Sequence, residues 1–190
     1  MTWPVRLAAA AALLPALLAW HKPKQTVVFA GGCFWGVEAV FEHLRGVQSA
    51  TSGYATPVDD PKGFAEAVRV EYDPARISYD QLLQVFFLVA HDPTQIDRQG
   101  PDVGPRYRSI VFVSDTADRR IALAELDSLR ARRTYPAPIA TQVAALRSFR
   151  IAEDFHQDFV LRHPHDAYVV INDLPKIGEL RRKFPTLYQQ

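Results

Sequence analysis

The chain has 190 residues, 48% of them hydrophobic, and a formal net charge of +1. That length and apolar content suit one domain with a sizeable core, and so small a charge argues against a nucleic-acid partner. The single cysteine, Cys33, excludes an intrachain disulfide and a cysteine-rich zinc site.

Arg6 precedes an apolar run from Leu7 to Ala19. The run is short for a membrane span and has the length of a secretory core, although Ala16 and Ala19 form only a weak cleavage signal. Residues 1–24 are therefore expected to be a signal peptide or N-terminal hydrophobic anchor. Residues 25–190 are expected to form the working domain, in a periplasmic or other extracytoplasmic location.

The first strand is expected at Val27-Val28-Phe29-Ala30. A helix should follow, with Val37, Val40, Phe41 and Leu44 on one face. Between them stands Gly31-Gly32-Cys33-Phe34-Trp35-Gly36. A strand that stops at two glycines and restarts as a helix puts Cys33 at the helix N-terminus, where unpaired N–H groups and the macrodipole favour a thiolate. Phe34 and Trp35 can then wall an apolar pocket beside a nucleophilic sulfur. A lone cysteine in apolar surroundings also fits a buried small hydrophobe. The bracketing glycines and the bulky Trp35 turn the reading toward a site.

Val47 to Tyr54 reads as extended, and Pro57 to Gly63 as a loop. Ala65 to Tyr72 alternates and reads as a strand ended by Asp73-Pro74. Ser78 and Gln81 form a capping box that opens a helix through Leu82, Leu83, Val85, Phe86 and Val89. His91-Asp92-Pro93 closes it, and a polar loop runs to Arg108. Ser109 to Val113 is a strand. Asp115 or Thr116 caps a helix carrying Ile121, Leu123, Leu126 and Leu129. Thr141 to Leu146 reads as a strand, Ala152 to Leu161 as a helix, and the tail from His163 as irregular, with a short helix over Pro175 to Phe184. Strands alternating with helices predict a two-layer α/β or α+β domain without deciding the strand order.

Gly32-Cys33-Phe34-Trp35-Gly36 after a short β run is similar to the active-site segment of peptide methionine sulfoxide reductases of the A type. Gly53-Tyr54, Ala65-Glu66-Ala67-Val68, Tyr72-Asp73-Pro74, Ile77 to Phe87, His91-Asp92-Pro93, Arg98 to Asp102, Tyr107-Arg108-Ser109 and Ala152 to Asp154 with His156-Gln157 resemble that family in order. The resemblance spans about Thr26 to Phe184. It implies a ferredoxin-like two-layer α+β sandwich with a mixed sheet and an irregular C-terminal tail. It also implies reduction of the S-epimer of methionine sulfoxide, protein-bound or free. By position, Cys33 matches the nucleophile, and Phe34 and Trp35 the pocket for the substrate methyl group. Glu66 matches the acid near the sulfoxide oxygen, and Asp102 and Tyr107 the polar lining.

The chemistry is consistent with these residue types. A sulfoxide sulfur becomes electrophilic when its oxygen is protonated, and Glu66 can supply that proton if an apolar pocket raises its pKa. An exposed strand carboxylate is the plainer alternative for Glu66. Tyr107 can donate to the oxygen or be a core-edge tyrosine. Asp102 can orient Tyr107 or a water, or cap a turn. His156 is either a second base or a structural histidine.

Two departures from the family stand out. The stretch between Tyr54 and Glu66 is shortened: Pro-x-Tyr and Thr-Gly-His are missing, Lys62-Gly63-Phe64 stands instead, and the family's second pocket tyrosine has no counterpart, Tyr54 not being its match. The C-terminal region also lacks a resolving cysteine. The resemblance thus implies a one-cysteine reductase without metal or other cofactor, in which a sulfenic acid on Cys33 is resolved by an external thiol that is thioredoxin-like, glutaredoxin-like or small. A monomer is expected. Two other classes stay open: a cysteine hydrolase pairing Cys33 with His91, His156 or His165, and a sulfoxide-binding module without turnover.

Overall fold

The computed structural model describes residues 25–190; the expected export segment, 1–24, lies outside the described residues. The main sheet is built from β1 (Gln25–Gly31), β2 (Val47–Pro57) and β3 (Ala65–Tyr72), followed later by β6 (Ser109–Val113) and β7 (Gln142–Ile151). Between β3 and β6 the chain forms α2 (Tyr79–Val85), a π-turn over Phe86–Ala90, and a small hairpin, β4 (Arg98–Gln99) with β5 (Asp102–Val103). The helix α1 (Phe34–Glu42) joins β1 to β2, and α3 (Thr116–Ala131) joins β6 to β7. The C-terminal segment carries α4 (Phe159–Arg162), a π-turn over Val169–Asp173 and α5 (Leu174–Lys183).

The α+β class and the mixed sheet are as expected, with β6 and β7 parallel and the other pairs antiparallel. The sheet does not stay open as one layer of a sandwich. Its order is β1-β3-β2-β7-β6, and β6 pairs again with β1, so it closes into a barrel. Alternation along the strands explains how closure is accommodated. Val28, Ala30, Ala55, Ala65, Ala67, Ile110 and Phe112 form a cluster enclosed by strands alone. Five strands leave a narrow interior, and the alanines fit it. The opposite face, with Val27, Phe29, Val68, Val70 and Val111, packs under α1, α2 and α3 in the main core. Phe29 stacks there between Phe41 and Phe86, with ring centroids at 5.2 and 4.8 Å.

Local signals hold at most element starts. Ser78 and Gln81 form both halves of the predicted capping box. The Asp115 carboxylate accepts from the Ala117 and Asp118 N–H groups and caps α3. The expected helix over Ala152 to Leu161 is instead a 3₁₀ turn (Asp154–His156) and the four-residue α4. Asp158 interrupts it with φ of 53°, and its N–H donates to Glu38 Oε2 at 3.0 Å. A buried carboxylate from α1 thus takes a donor that a continuous helix would use internally. The polar loop before Arg108 is more ordered than expected, because the hairpin β4–β5 and the 3₁₀ turn Pro105–Tyr107 organise it.

Candidate active site

Cys33 is the N-cap of α1, as the glycine–cysteine sequence predicts. Gly32 precedes it with φ of +94°, and a Cβ there would lie 2.5 Å from Gln99 Cβ and Cγ. Only glycine meets both demands, a left-handed backbone and contact with the loop that carries Asp102. Gly36, in the first turn of α1, lets the C-terminal segment approach: a Cβ there would sit 2.1 Å from Asp173 Oδ1. The glycines thus bring two distant stretches of chain against the cysteine.

The sulfur borders a cavity of about 400 Å³. All six residues expected at the site line it: Cys33, Phe34, Trp35, Glu66, Asp102 and Tyr107. Phe34 and Trp35 follow the sulfur directly on α1. Trp35 stacks on Phe159 at 3.6 Å between centroids and meets Tyr168 edge-on at 5.7 Å. Glu66 projects from β3 on the same side as Val68 and Val70, the helix-facing side, and is buried. Its Oε2 accepts from the Phe34 N–H at 3.4 Å. Burial pushes the Glu66 carboxyl up to about 7, against the opposing pull of that N–H, the Arg106 charge and the Tyr107 hydroxyl. Glu66 is therefore no exposed strand carboxylate; near neutral pH it carries a proton in a substantial fraction of molecules.

Cys33 differs from expectation in its resting protonation. Burial pushes its thiol up to about 12, and the Glu66 and Asp173 charges add to that, outweighing the Trp35 N–H at the helix start. In the free protein the sulfur is a thiol, because desolvation beside two carboxylates exceeds what one helix terminus supplies.

Asp102 has a different partner from the one anticipated. It accepts a hydrogen bond from the Tyr168 hydroxyl, not from Tyr107. Tyr168 lines the cavity from the C-terminal π-turn side, in a tail read as irregular, and no local pattern marks it. Arg106 and Tyr54 also line the cavity and were not singled out as site residues. The Tyr54 hydroxyl turns away to Glu153 Oε2 at 3.0 Å, while its ring packs edge-on against Phe34 at 5.7 Å and Phe64 at 5.3 Å.

The histidines do not form a hydrolase dyad with Cys33. His91 is buried between the Phe86 carbonyl (3.0 Å) and Ser109 Oγ (2.7 Å), and burial holds its pKa down at about 4, so it is a neutral structural group. His156 lines the cavity, but its Nδ1 accepts from Trp35 Nε1 at 3.1 Å and its ring packs on Phe34. His165 is exposed and lines none of the cavities that Cys33 borders. Among the described residues no group of three or more His, Cys, Asp and Glu side chains is placed to hold a metal.

The chain matches a relative from Mesorhizobium japonicum, peptide methionine sulfoxide reductase MsrA 2, at 45% identity over 176 residues, covering 87% of this chain and 90% of the relative. Among solved structures it resembles Mxr1 from Saccharomyces cerevisiae in reduced form, with a TM-score of 0.67 and 29% identity over 75% of this chain and 87% of that one. It also resembles Mxr1 in complex with Trx2, with a TM-score of 0.55 and 25% identity over 75% of this chain and 91% of that one. The model of the family described as peptide methionine sulfoxide reductase matches residues 25–187, nearly all of the chain that carries this site, and the chain belongs to that family.

Proposed function

We propose that Cys33 and Glu66 carry the reaction this chain catalyses, the thiol-dependent reduction of the S-epimer of methionine sulfoxide to methionine. The observation that carries the assignment is the convergence of a buried cysteine, a carboxyl group raised to about 7 and an aromatic wall on one cavity. The methyl group of the substrate fits among Phe34, Trp35 and Tyr168, and the sulfoxide oxygen toward Glu66 and Tyr107. Tyr168 is positioned by Asp102.

Cys33 sulfur attacks the sulfoxide sulfur while Glu66 places a proton on the oxygen. The thiol proton of Cys33 restores the proton on Glu66. The S–O bond to the substrate sulfur and the transient bond between the two sulfurs break as the oxygen passes to the Cys33 sulfur, which is left as a sulfenic acid, and methionine leaves. Cysteine sulfur loses two electrons and the substrate sulfur gains them, so no other cofactor takes part. A first thiol then displaces water and forms a mixed disulfide with Cys33, and a second thiol releases the free cysteine. The reductant is read as a thioredoxin-like, glutaredoxin-like or small thiol, acting on a monomer. The Arg6 and Leu7–Ala19 pattern supports an exported, extracytoplasmic setting, which N-terminal sequencing of the secreted fraction tests.

The deciding experiment is mass spectrometry of Cys33 after one equivalent of methyl sulfoxide substrate without reductant. One methionine should form per chain, with a sulfenic acid trapped on Cys33 by a dimedone-type reagent, and Cys33→Ser should form neither. Several turnovers without added thiol, or sustained reduction by Cys33→Ser, would overturn the assignment. Ester or amide turnover would instead indicate a hydrolase, and binding without turnover a sulfoxide-binding module.

A further inference from the structure

Cys33 borders a second cavity, of about 200 Å³, besides the one that takes the substrate. Cys33, Asp102 and Tyr168 line both. The hydrogen-bonded pair Asp102–Tyr168 is therefore a partition, with the sulfur at its edge. Glu66, Tyr107, Phe34 and Trp35 line only the first cavity. Gln99, Asn172 and Lys176 line only the second, whose rim includes Ile171, 70% exposed.

We infer that the second cavity is the entry for the thiol that regenerates Cys33, so that substrate and reductant reach the sulfur from different sides. The inference rests on the reading of Cys33 as the residue oxidised to a sulfenic acid. Displacement at a divalent sulfur is in line: the incoming sulfur approaches opposite the departing oxygen. The departing oxygen is the one taken from the substrate, and the groups that bind and protonate it, Glu66 and Tyr107, belong to the first cavity alone. The incoming thiol then needs room away from those groups, and the second cavity reaches the sulfur past the Asp102–Tyr168 pair with neither Glu66 nor Tyr107 in its lining. Its size admits a thiol on a slender stem, not a bulky group. The Lys176 ammonium lines this cavity, paired with Asp173 Oδ1 at 3.1 Å. Asp102 is the carboxylate that faces the same space, and it is engaged by Tyr168.

The step balances. The thiolate sulfur bonds to Cys33 sulfur, the S–O bond breaks, and the oxygen leaves as water with the sulfenic proton and the thiol proton. The thiol is oxidised to the level of a mixed disulfide, and Cys33 is reduced from sulfenic acid to the same level.

Two measurements test this on the full chain. The first forms the Cys33 sulfenate with one equivalent of substrate and then follows its loss on adding 2-mercaptoethanol or glutathione. Ile171→Trp, at an exposed rim position, should leave methionine formation within about twofold of wild type and slow sulfenate loss about tenfold or more, with the larger effect for glutathione, since exchange rates follow access. The second adds a methionine sulfone peptide, at a concentration that blocks methionine formation, to the preformed sulfenate. The thiol reaction should proceed at its uninhibited rate. Equal sulfenate loss in Ile171→Trp and wild type, or competition between sulfone and thiol, overturns the separate entry. Absence of any sulfenate in wild type overturns the assignment of Cys33, and the inference with it.

Discussion

Glu66 Oε2 accepts the N–H of Phe34, the residue directly after Cys33, at 3.4 Å. One hydrogen bond thus joins strand β3, which carries the proposed acid, to the first turn of α1, at whose N-cap the sulfur stands. The distance is long for such a bond, so the contact holds the carboxylate loosely and leaves it free to engage a substrate oxygen.

Glu66→Gln keeps the shape and cannot transfer a proton. General acid catalysis typically contributes ~10²–10⁴-fold, and kcat/KM should fall on that order. Because the Glu66 carboxyl sits at about 7, the acid form is lost as pH rises through that value, and wild-type kcat/KM should decline there. The Gln variant should lack this limb, so its deficit should be largest below 7 and shrink as pH rises past that value and wild type loses its acid form. A pH–rate profile of both proteins checks this; a wild-type limb that persists in Glu66→Gln assigns the titration to another group.

Asp102 and Tyr168 act as one unit. Tyr168→Phe and Asp102→Ala each sever the same hydrogen bond. Each should lower kcat/KM, and the double variant should be little worse than either single one. The resulting coupling should be about 0.5–3 kcal/mol, the range for residues in contact. Additive losses in a double-mutant cycle would show that the two side chains contribute independently.

Arg108 clamps the short connection between β2 and β3 to the turn that bears Arg106 and Tyr107. Its guanidinium donates to the Gly63, Phe64 and Pro105 carbonyls at 2.7, 3.2 and 2.6 Å and pairs with Asp60 at 3.0 Å, with the arginine side chain only 4% exposed. Arg108→Met removes the guanidinium donors from Asp60 and from three carbonyls. Breaking a buried pair typically costs ~3–5 kcal/mol, and denaturant unfolding should register a loss of that order. Substrate KM should rise as well, because the Tyr107 turn loses its anchor.

Stability should pass through a maximum in mildly acidic solution. Burial raises the Glu38 and Glu66 carboxyls to about 7 each, and burial together with the neighbouring Glu38 charge raises Glu42. The folded state then holds protons that the unfolded chain has released above its ordinary value of 4.5. These carboxyls make stability fall as pH rises from about 4.5 through 7, outnumbering buried His91, whose pKa held down at about 4 contributes the opposite slope up to its ordinary 6.5. Asp60 acts oppositely: its burial is more than offset by the Lys62 N–H and the Arg108 guanidinium, so its carboxyl lies below the ordinary 3.8. The stability it contributes is present above 3.8 and is lost as pH drops further. Urea midpoints across this range should show both slopes, and Glu38→Gln should flatten the upper one. A midpoint that climbs steadily from pH 5 to 8 contradicts the burial argument.

The local code of the chain determined where the site would begin. The Gly-Gly-Cys junction fixed a helix start at Cys33, because only glycine tolerates the backbone and the close approach at Gly32. Alternation in Ala65 to Tyr72 sorted β3 into alanines for the barrel interior and Val68, Val70 and Glu66 for the helix side, a period-two pattern visible in sequence. Three matters depended on the tertiary structure. Barrel closure rests on pairing β1 with β6 and β2 with β7, non-local partnerships that no window of sequence encodes. Tyr168 joins the site from 66 residues beyond Asp102 with no local signal, and His156, legible as a motif, finds its partner Trp35 only across 121 residues. The resting state of the sulfur turned on the same long-range packing. A helix N-terminus is legible in the residues around Cys33, whereas the burial and the Glu66 and Asp173 carboxylates that keep the thiol protonated are assembled only when the chain folds.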